Sequence, residues 1–239
     1  MPIPANTNLI AARILRLFRT QGRQQLAGGL SLETHALRCA SLAGDAGEPD
    51  ALIAACLLQN YGRLILGGTH SPRPAAWQPE ADRVGPDRLA SWFNPEVVEP
   101  IRLKEDARRY LCWREPGYLR ALPVPVLEAL PASGGIMTDG EAFEFEVNPH
   151  SSAAVRLQRY ADLAQSHDPS LPGIESFEPL LLSLMRKALE ERFAASAFGA
   201  SPSRRLRELP PAFDVWDPLT ASPAPSSFPT PQLAWCNDQ

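Results

Sequence analysis

The sequence predicts an all-α helical bundle followed by a proline-rich tail. Three observations carry that expectation. Apolar residues recur at helical spacing through most of residues 7–198. Capping residues and prolines stand where helices should open. No run of alternating apolar and polar residues marks a set of strands, and no internal repeat is present. With 239 residues, the chain is long enough for one domain with a real core.

The elements follow in order. Residues 7–20 set Ile10, Ile14, Leu17 and Phe18 on one face, with Asn6 or Thr7 as N-cap. Ser31 caps a helix to about Ala46, and Asp50 caps another from Ala51 to about Tyr61. Residues 67–87 hold Gly67, Gly68, Pro72, Pro74, Pro79 and Pro86, and read as a long loop. Asn94-Pro95 pairs a cap with a proline at the first helical position and opens a helix to about Trp113. Thr138 and Glu141 have capping-box spacing ahead of a short helix with Phe143 and Phe145. Asn148-Pro149 opens a helix to about Gln165, and a last helix spans about Ser176 to Phe198. Residues 1–200 form the expected domain. Residues 201–239 are Pro/Ser-rich and read as a disordered or partner-binding tail, with Phe213, Trp216, Phe228 and Trp235 spaced along it.

Composition narrows the function classes. The net charge of −4 carries no electrostatic footprint for nucleic acid or an anionic membrane. Cys39, Cys56, Cys112 and Cys236 show no zinc-like spacing and read as reduced structural cysteines. No stretch is apolar enough to span a membrane, and the N-terminus lacks the pattern of a secretory signal, so a cytoplasmic location is expected.

The least ordinary feature is Gln59-Asn60, two polar residues at the end of the apolar run Ala54 to Leu58, with Gly62 two positions on. Other segments stand with it in a fixed order: Ser31 to Leu37, Ile101 to Cys112, Glu115-Pro116-Gly117-Tyr118, Gly134 to Glu141, and Leu157 to Asp162. Together these resemble the HD-domain oxygenases that break down phosphonates, from about residue 8 to 190. The resemblance implies an HD-domain-like bundle around two irons, held by four histidines and two aspartates. The former ligand positions fall on His35, Gln59, Asn60, Ala81, Lys104 and Ala161, and only His35 keeps its residue type. On the substrate side a lysine aimed at the phosphonate falls on Arg108 and an arginine on Gln158, beside Arg159. A glutamine falls on Ser133, and a tyrosine and glutamate that cover the irons fall on Gln25 and Gly28.

Physical chemistry weighs those replacements. Iron here needs imidazole and carboxylate ligands. Alanine offers no donor atom, amide oxygens are weak neutral ligands, and protonated lysine has no free lone pair. At an effective dielectric of about 20, two unit charges about 4 Å apart interact by about 4 kcal/mol, and a divalent ion doubles the repulsion. The expectation is therefore metal: none, and no cofactor. The first functional reading is a non-catalytic accessory or scaffold protein, working as a homo-oligomer or paired with an active paralogue or pathway enzyme. The second is a repurposed metal-independent enzyme for proton transfer, dehydration or cyclisation of a small anionic or carbonyl metabolite. There His35 and Lys104 would be catalytic, and Gln59, Asn60, Arg108 and Arg159 would bind the ligand. An active phosphonate-type oxygenase is the third. Neither nucleic acid nor membrane is an expected partner.

Overall fold

A computed structural model describes residues 5–26, 29–67, 79–166 and 171–199. Among these the chain is helical, with no strand beyond an isolated bridge between Gln25 and Ser31. No helix among them is long and apolar enough to cross a membrane. The expected all-α bundle is what forms.

Its helices are α1 (Ala5–Gln21), α2 (Leu32–Asp45), α3 (Asp50–Leu58), α4 (Tyr61–Leu66), α5 (Pro79–Leu89) and α6 (Pro95–Arg102). Then come α7 (Lys104–Arg114), α8 (Pro116–Ala121), α9 (Val124–Ala129), α10 (Asp139–Val147), α11 (Ser151–Ser166) and α12 (Glu178–Gly199). The main core joins α1, α2, α3, α6, α11 and α12 through residues such as Ile14, Phe18, Leu57, Leu58, Leu157 and Leu181. Helix α3 lies inside it: Leu52, Ala54, Ala55, Cys56, Leu57 and Leu58 are all buried. A helix apolar on every side has to be covered on every side, and α2, α6, α11 and α12 do this.

Several caps form as expected. The Ser31 hydroxyl accepts from the Thr34 amide at 3.0 Å. Thr138 and Glu141 make a reciprocal capping box at the start of α10. Cys39, Cys56 and Cys112 are buried free thiols.

Three boundaries differ, each for a local reason. The helix expected to reach Tyr61 stops at Leu58, because Gln59 turns back and donates from Nε2 to the Cys56 carbonyl at 3.1 Å. The helix expected over 94–113 breaks at Leu103 into α6 and α7, behind Pro100, which supplies no amide hydrogen. Helix α11 begins at Ser151 rather than Pro149, because the Asn148 side chain accepts from the His150 amide at 2.9 Å and closes a turn first.

The largest difference is α5, where the sequence read as loop. Pro79 sits at its first position, where a missing N–H costs nothing. Gly85 belongs to a close crossing of α5 with α4. A Cβ on Gly62 would lie 1.9 Å from the Ala81 carbonyl oxygen, and one on Gly85 would lie 2.8 Å from the Gly62 amide nitrogen. These glycines mark a helix contact and not a flexible segment. The crossing places Ala81 and Asp82 beside the Gln59-Asn60 turn. The tail expected over residues 201–239, with Cys236, and the residues His70, His167 and Gly28 lie outside the described residues.

Candidate functional site

The α3–α4 turn, α2, α7 and α11 bring positions that the resemblance assigns to metal ligands together in a hydrogen-bonded chain, with α5 packed beside them. It starts at His35, 4% exposed on α2. Its Nε2 donates to the Ala161 carbonyl at 3.0 Å, and its Nδ1 faces the Asn60 amide nitrogen at 3.4 Å. Both ring nitrogens are engaged, which fixes the neutral tautomer with hydrogen on Nε2. Burial pushes the imidazole pKa down to about 4, with the charge of Lys104 adding to that effect and the Ala161 bond opposing it.

The chain continues through Asn60 to Lys104. The Lys104 ammonium lies 3.5 Å from Asn60 Oδ1 and 3.5 Å from Gln59 Oε1. Gln59 closes it through its bond to the Cys56 carbonyl. Five of the six positions that the resemblance assigns to metal ligands are tied in this way: His35 to Ala161 and Asn60, and Lys104 to Asn60 and Gln59. Ala81, the sixth, is buried against Gly62 and contributes only a methyl group.

Around the ammonium sits a charged ring that the sequence did not announce. Burial pushes Lys104 below the usual lysine range, and Asp82 is the group that most opposes this. Burial likewise holds the Asp82 carboxyl above its ordinary value, with Lys104 the leading opposing charge. Arg63 feels both Asp82 and Glu105. Arg108 pairs with Glu105 one helical turn back. Asp82 escaped the sequence reading because the Pro/Gly composition hid α5, and its meeting with Arg63 on α4 and Glu105 on α7 is tertiary. The usable signal was Asp82, a carboxylate directly after the Ala81 position.

A second cluster lies on α11 and α8. Tyr118 donates to Asp162 Oδ2 at 2.6 Å, and Gln158 Nε2 donates to Asp162 Oδ1 at 2.8 Å. Asp162 stands next to the position expected for an aspartate ligand, yet both its oxygens are taken. Burial raises its pKa above the ordinary carboxylate value. Arg108 is the charge that links this cluster to the Lys104 ring. Gln158 Oε1 and Arg108 Nε are buried with no partner.

Not every predicted site residue converges. Arg159 pairs with Glu115 and stacks its guanidinium 5.5 Å from the Tyr118 ring centre, about 40% exposed and apart from His35. Asp106 turns away to Arg109 at 3.2 Å, as expected for a residue two positions from Lys104 on a helix. Ser133 bonds the Leu130 carbonyl, and Gln25 lies in the bridge to Ser31.

No family model matches this chain. Similarity to individual proteins is clear. The chain is 30% identical over 167 residues to a hydroxymethylphosphonate dioxygenase of Gimesia maris, covering 69% of this chain and 82% of that protein. It is 23% identical over 172 residues to a [1-hydroxy-2-(trimethylamino)ethyl]phosphonate dioxygenase (glycine-betaine-forming) of Leisingera caerulea, covering 72% and 88%.

These relatives correct the expectation of no cofactor. Both are named dioxygenases, and kinship with them restores the two irons implied by the resemblance as the group to test against this site. The residues present do not fit irons held in that manner. Both His35 nitrogens are bound, Ala81 and Ala161 have no side-chain donor, and a cation lies between Gln59 and Asn60. Among the described residues no group of three or more histidine, cysteine, aspartate or glutamate side chains converges as a metal site.

Proposed function

Because this chain belongs to the phosphonate dioxygenase family, we propose that it is a non-catalytic member that keeps the helical bundle and has given up the diiron site. In this reading it works as an accessory or scaffold protein in the cytoplasm. It acts as a homo-oligomer or beside an active enzyme of the family, by binding and not by oxygen chemistry. The observation that carries the reading is the Lys104 ammonium, lodged within 3.5 Å of both Gln59 and Asn60. A lysine ammonium there supplies the cross-link that a metal ion would otherwise give, and it repels a metal ion.

The test is oxygen uptake. The purified chain, given Fe(II) without air and then oxygen and hydroxymethylphosphonate, is expected to show no substrate-dependent uptake above buffer. An active relative assayed alongside sets the scale. Turnover approaching that of the relative overturns the proposal and restores the active-oxygenase reading. Co-purification with an active family enzyme, or self-association in sedimentation, supports the binding role.

A second reading has one observation in its favour. Burial drives Lys104 down and Asp82 up, so the two pKa values move toward each other. That is how acid–base pairs are tuned for work near neutral pH. The neutral His35 beside them would position Asn60. Under this reading the site moves protons on a small anionic or carbonyl metabolite. Lys104→Ala in the host separates the two: unchanged pathway product argues against the repurposed enzyme, and lost product with a folded variant argues for it.

A further inference from the structure

Away from the His35 network, a groove of about 540 Å³ opens where α3, α6 and α11 begin and α12 passes. Its apolar floor includes Leu52, Val97 and Leu184, and its rim carries Lys187 together with Asp50 and Glu96. Leu52 and Val97 are buried, while Lys187, Asp50 and Glu96 are exposed. The apolar surface that the groove leaves open is carried by the half-buried Ala51, Ala153 and Leu184 above that core.

We propose that this groove is the docking site for the chain's own segment Phe213-Asp214-Val215-Trp216-Asp217. Reach is the first argument. Lys187 lies 12 residues before Gly199, the end of α12, which is about 18 Å of helix. The 14 residues from Gly199 to Phe213 span up to about 46 Å when extended. The segment can double back along α12 with length to spare. Chemistry is the second. Phe213, Val215 and Trp216 offer apolar surface for the floor, and Asp214 and Asp217 offer carboxylates for Lys187. The preceding Arg204, Arg205 and Arg207 supply cations for Asp50 and Glu96. Pro210-Pro211 and Pro218 bracket the segment, and proline lowers the entropy lost on ordering. The groove and the tail thus carry matching apolar surface and both signs of charge.

A fluorescein-labelled peptide covering Glu208–Leu219 tests this. It is titrated into the full chain and into the full chain carrying Phe213→Ala and Trp216→Ala. The variant, with its own segment disabled, is expected to bind the peptide at least tenfold more tightly than the wild type. Adding Ser183→Glu and Lys187→Glu, both at exposed groove positions, is expected to abolish binding while circular dichroism stays unchanged. No saturable binding, equal affinity for wild type and variant, or affinity indifferent to the groove substitutions overturns the proposal. A wild-type dimer in sedimentation that the Phe213→Ala/Trp216→Ala variant dissolves also overturns it, by assigning the groove to the tail of a second copy.

Discussion

Lowering the pH should destabilise this protein through His35, and the size can be worked out. The imidazole is buried, donates to the Ala161 carbonyl and faces the Asn60 amide, and its pKa is lowered from 6.5 to about 4. Between those two values the unfolded chain binds the proton and the folded chain does not. Stability is therefore undiminished above about pH 6.5, falls as pH drops through that window, and levels off below about pH 4. The whole shift corresponds to about 3.4 kcal/mol, of which about 2 kcal/mol is lost between pH 7.5 and pH 5. The assay is urea denaturation at those two pH values, on the wild type and on His35→Gln. Glutamine can still donate to Ala161 and accept from Asn60, but it does not titrate. Other buried acids, Asp82 and Asp162 among them, are common to both proteins and cancel. The wild type should lose about 2 kcal/mol more than the variant over this range. Equal losses would refute the assignment of His35 as a buried neutral histidine.

Four further outcomes follow from the same structure. Lys104→Met should cost about 2–4 kcal/mol in urea melts, because it strips a partner from two amide oxygens and leaves Asp82 buried beside fewer cations. Gly62→Ala should destabilise by about 3 kcal/mol or more, since its Cβ would meet the Ala81 carbonyl at 1.9 Å. Gly117→Ala, with nothing within 4 Å of the added Cβ, should be neutral or stabilise by up to about 1 kcal/mol. Thr138→Ala should remove the capping box of α10 at a cost of about 1 kcal/mol, read as a lower thermal midpoint.

Most of the bundle was legible because its signals are local. Ser31 and the Thr138–Glu141 box need only a few neighbouring residues to act, and both appear where the spacing put them. Helix α5 was not legible for the opposite reason. Gly85 and Pro86 look like loop residues until α4 is laid against them, and only then is glycine seen as the residue that permits contact. The break at Gln59 was hidden similarly, since a glutamine that bonds its own backbone cannot be told in sequence from one that faces solvent. The ring of Asp82, Arg63 and Glu105 about Lys104 depends on α4, α5 and α7 meeting, which no spacing along one helix encodes.

The way the polar groups are satisfied bears on the proposed loss of the metal site. A metal site that merely lost its ligands would leave buried donors and acceptors facing nothing, at about 1–3 kcal/mol each. Here His35, Gln59, Asn60 and Lys104 hold one another, and the carbonyls of Cys56 and Ala161 close the two ends. None of their buried side-chain nitrogens and oxygens is left without a partner, whereas Gln158 Oε1 and Arg108 Nε are. Those two atoms sit at the positions where the resemblance puts substrate contacts. Under the proposed reading, His35, Gln59, Asn60 and Lys104 form a self-contained hydrogen-bonded network in place of a metal site. In the proposed non-catalytic reading, the Lys104 ammonium and the Gln59-Asn60 turn act as one hydrogen-bonded unit and not as separate defects.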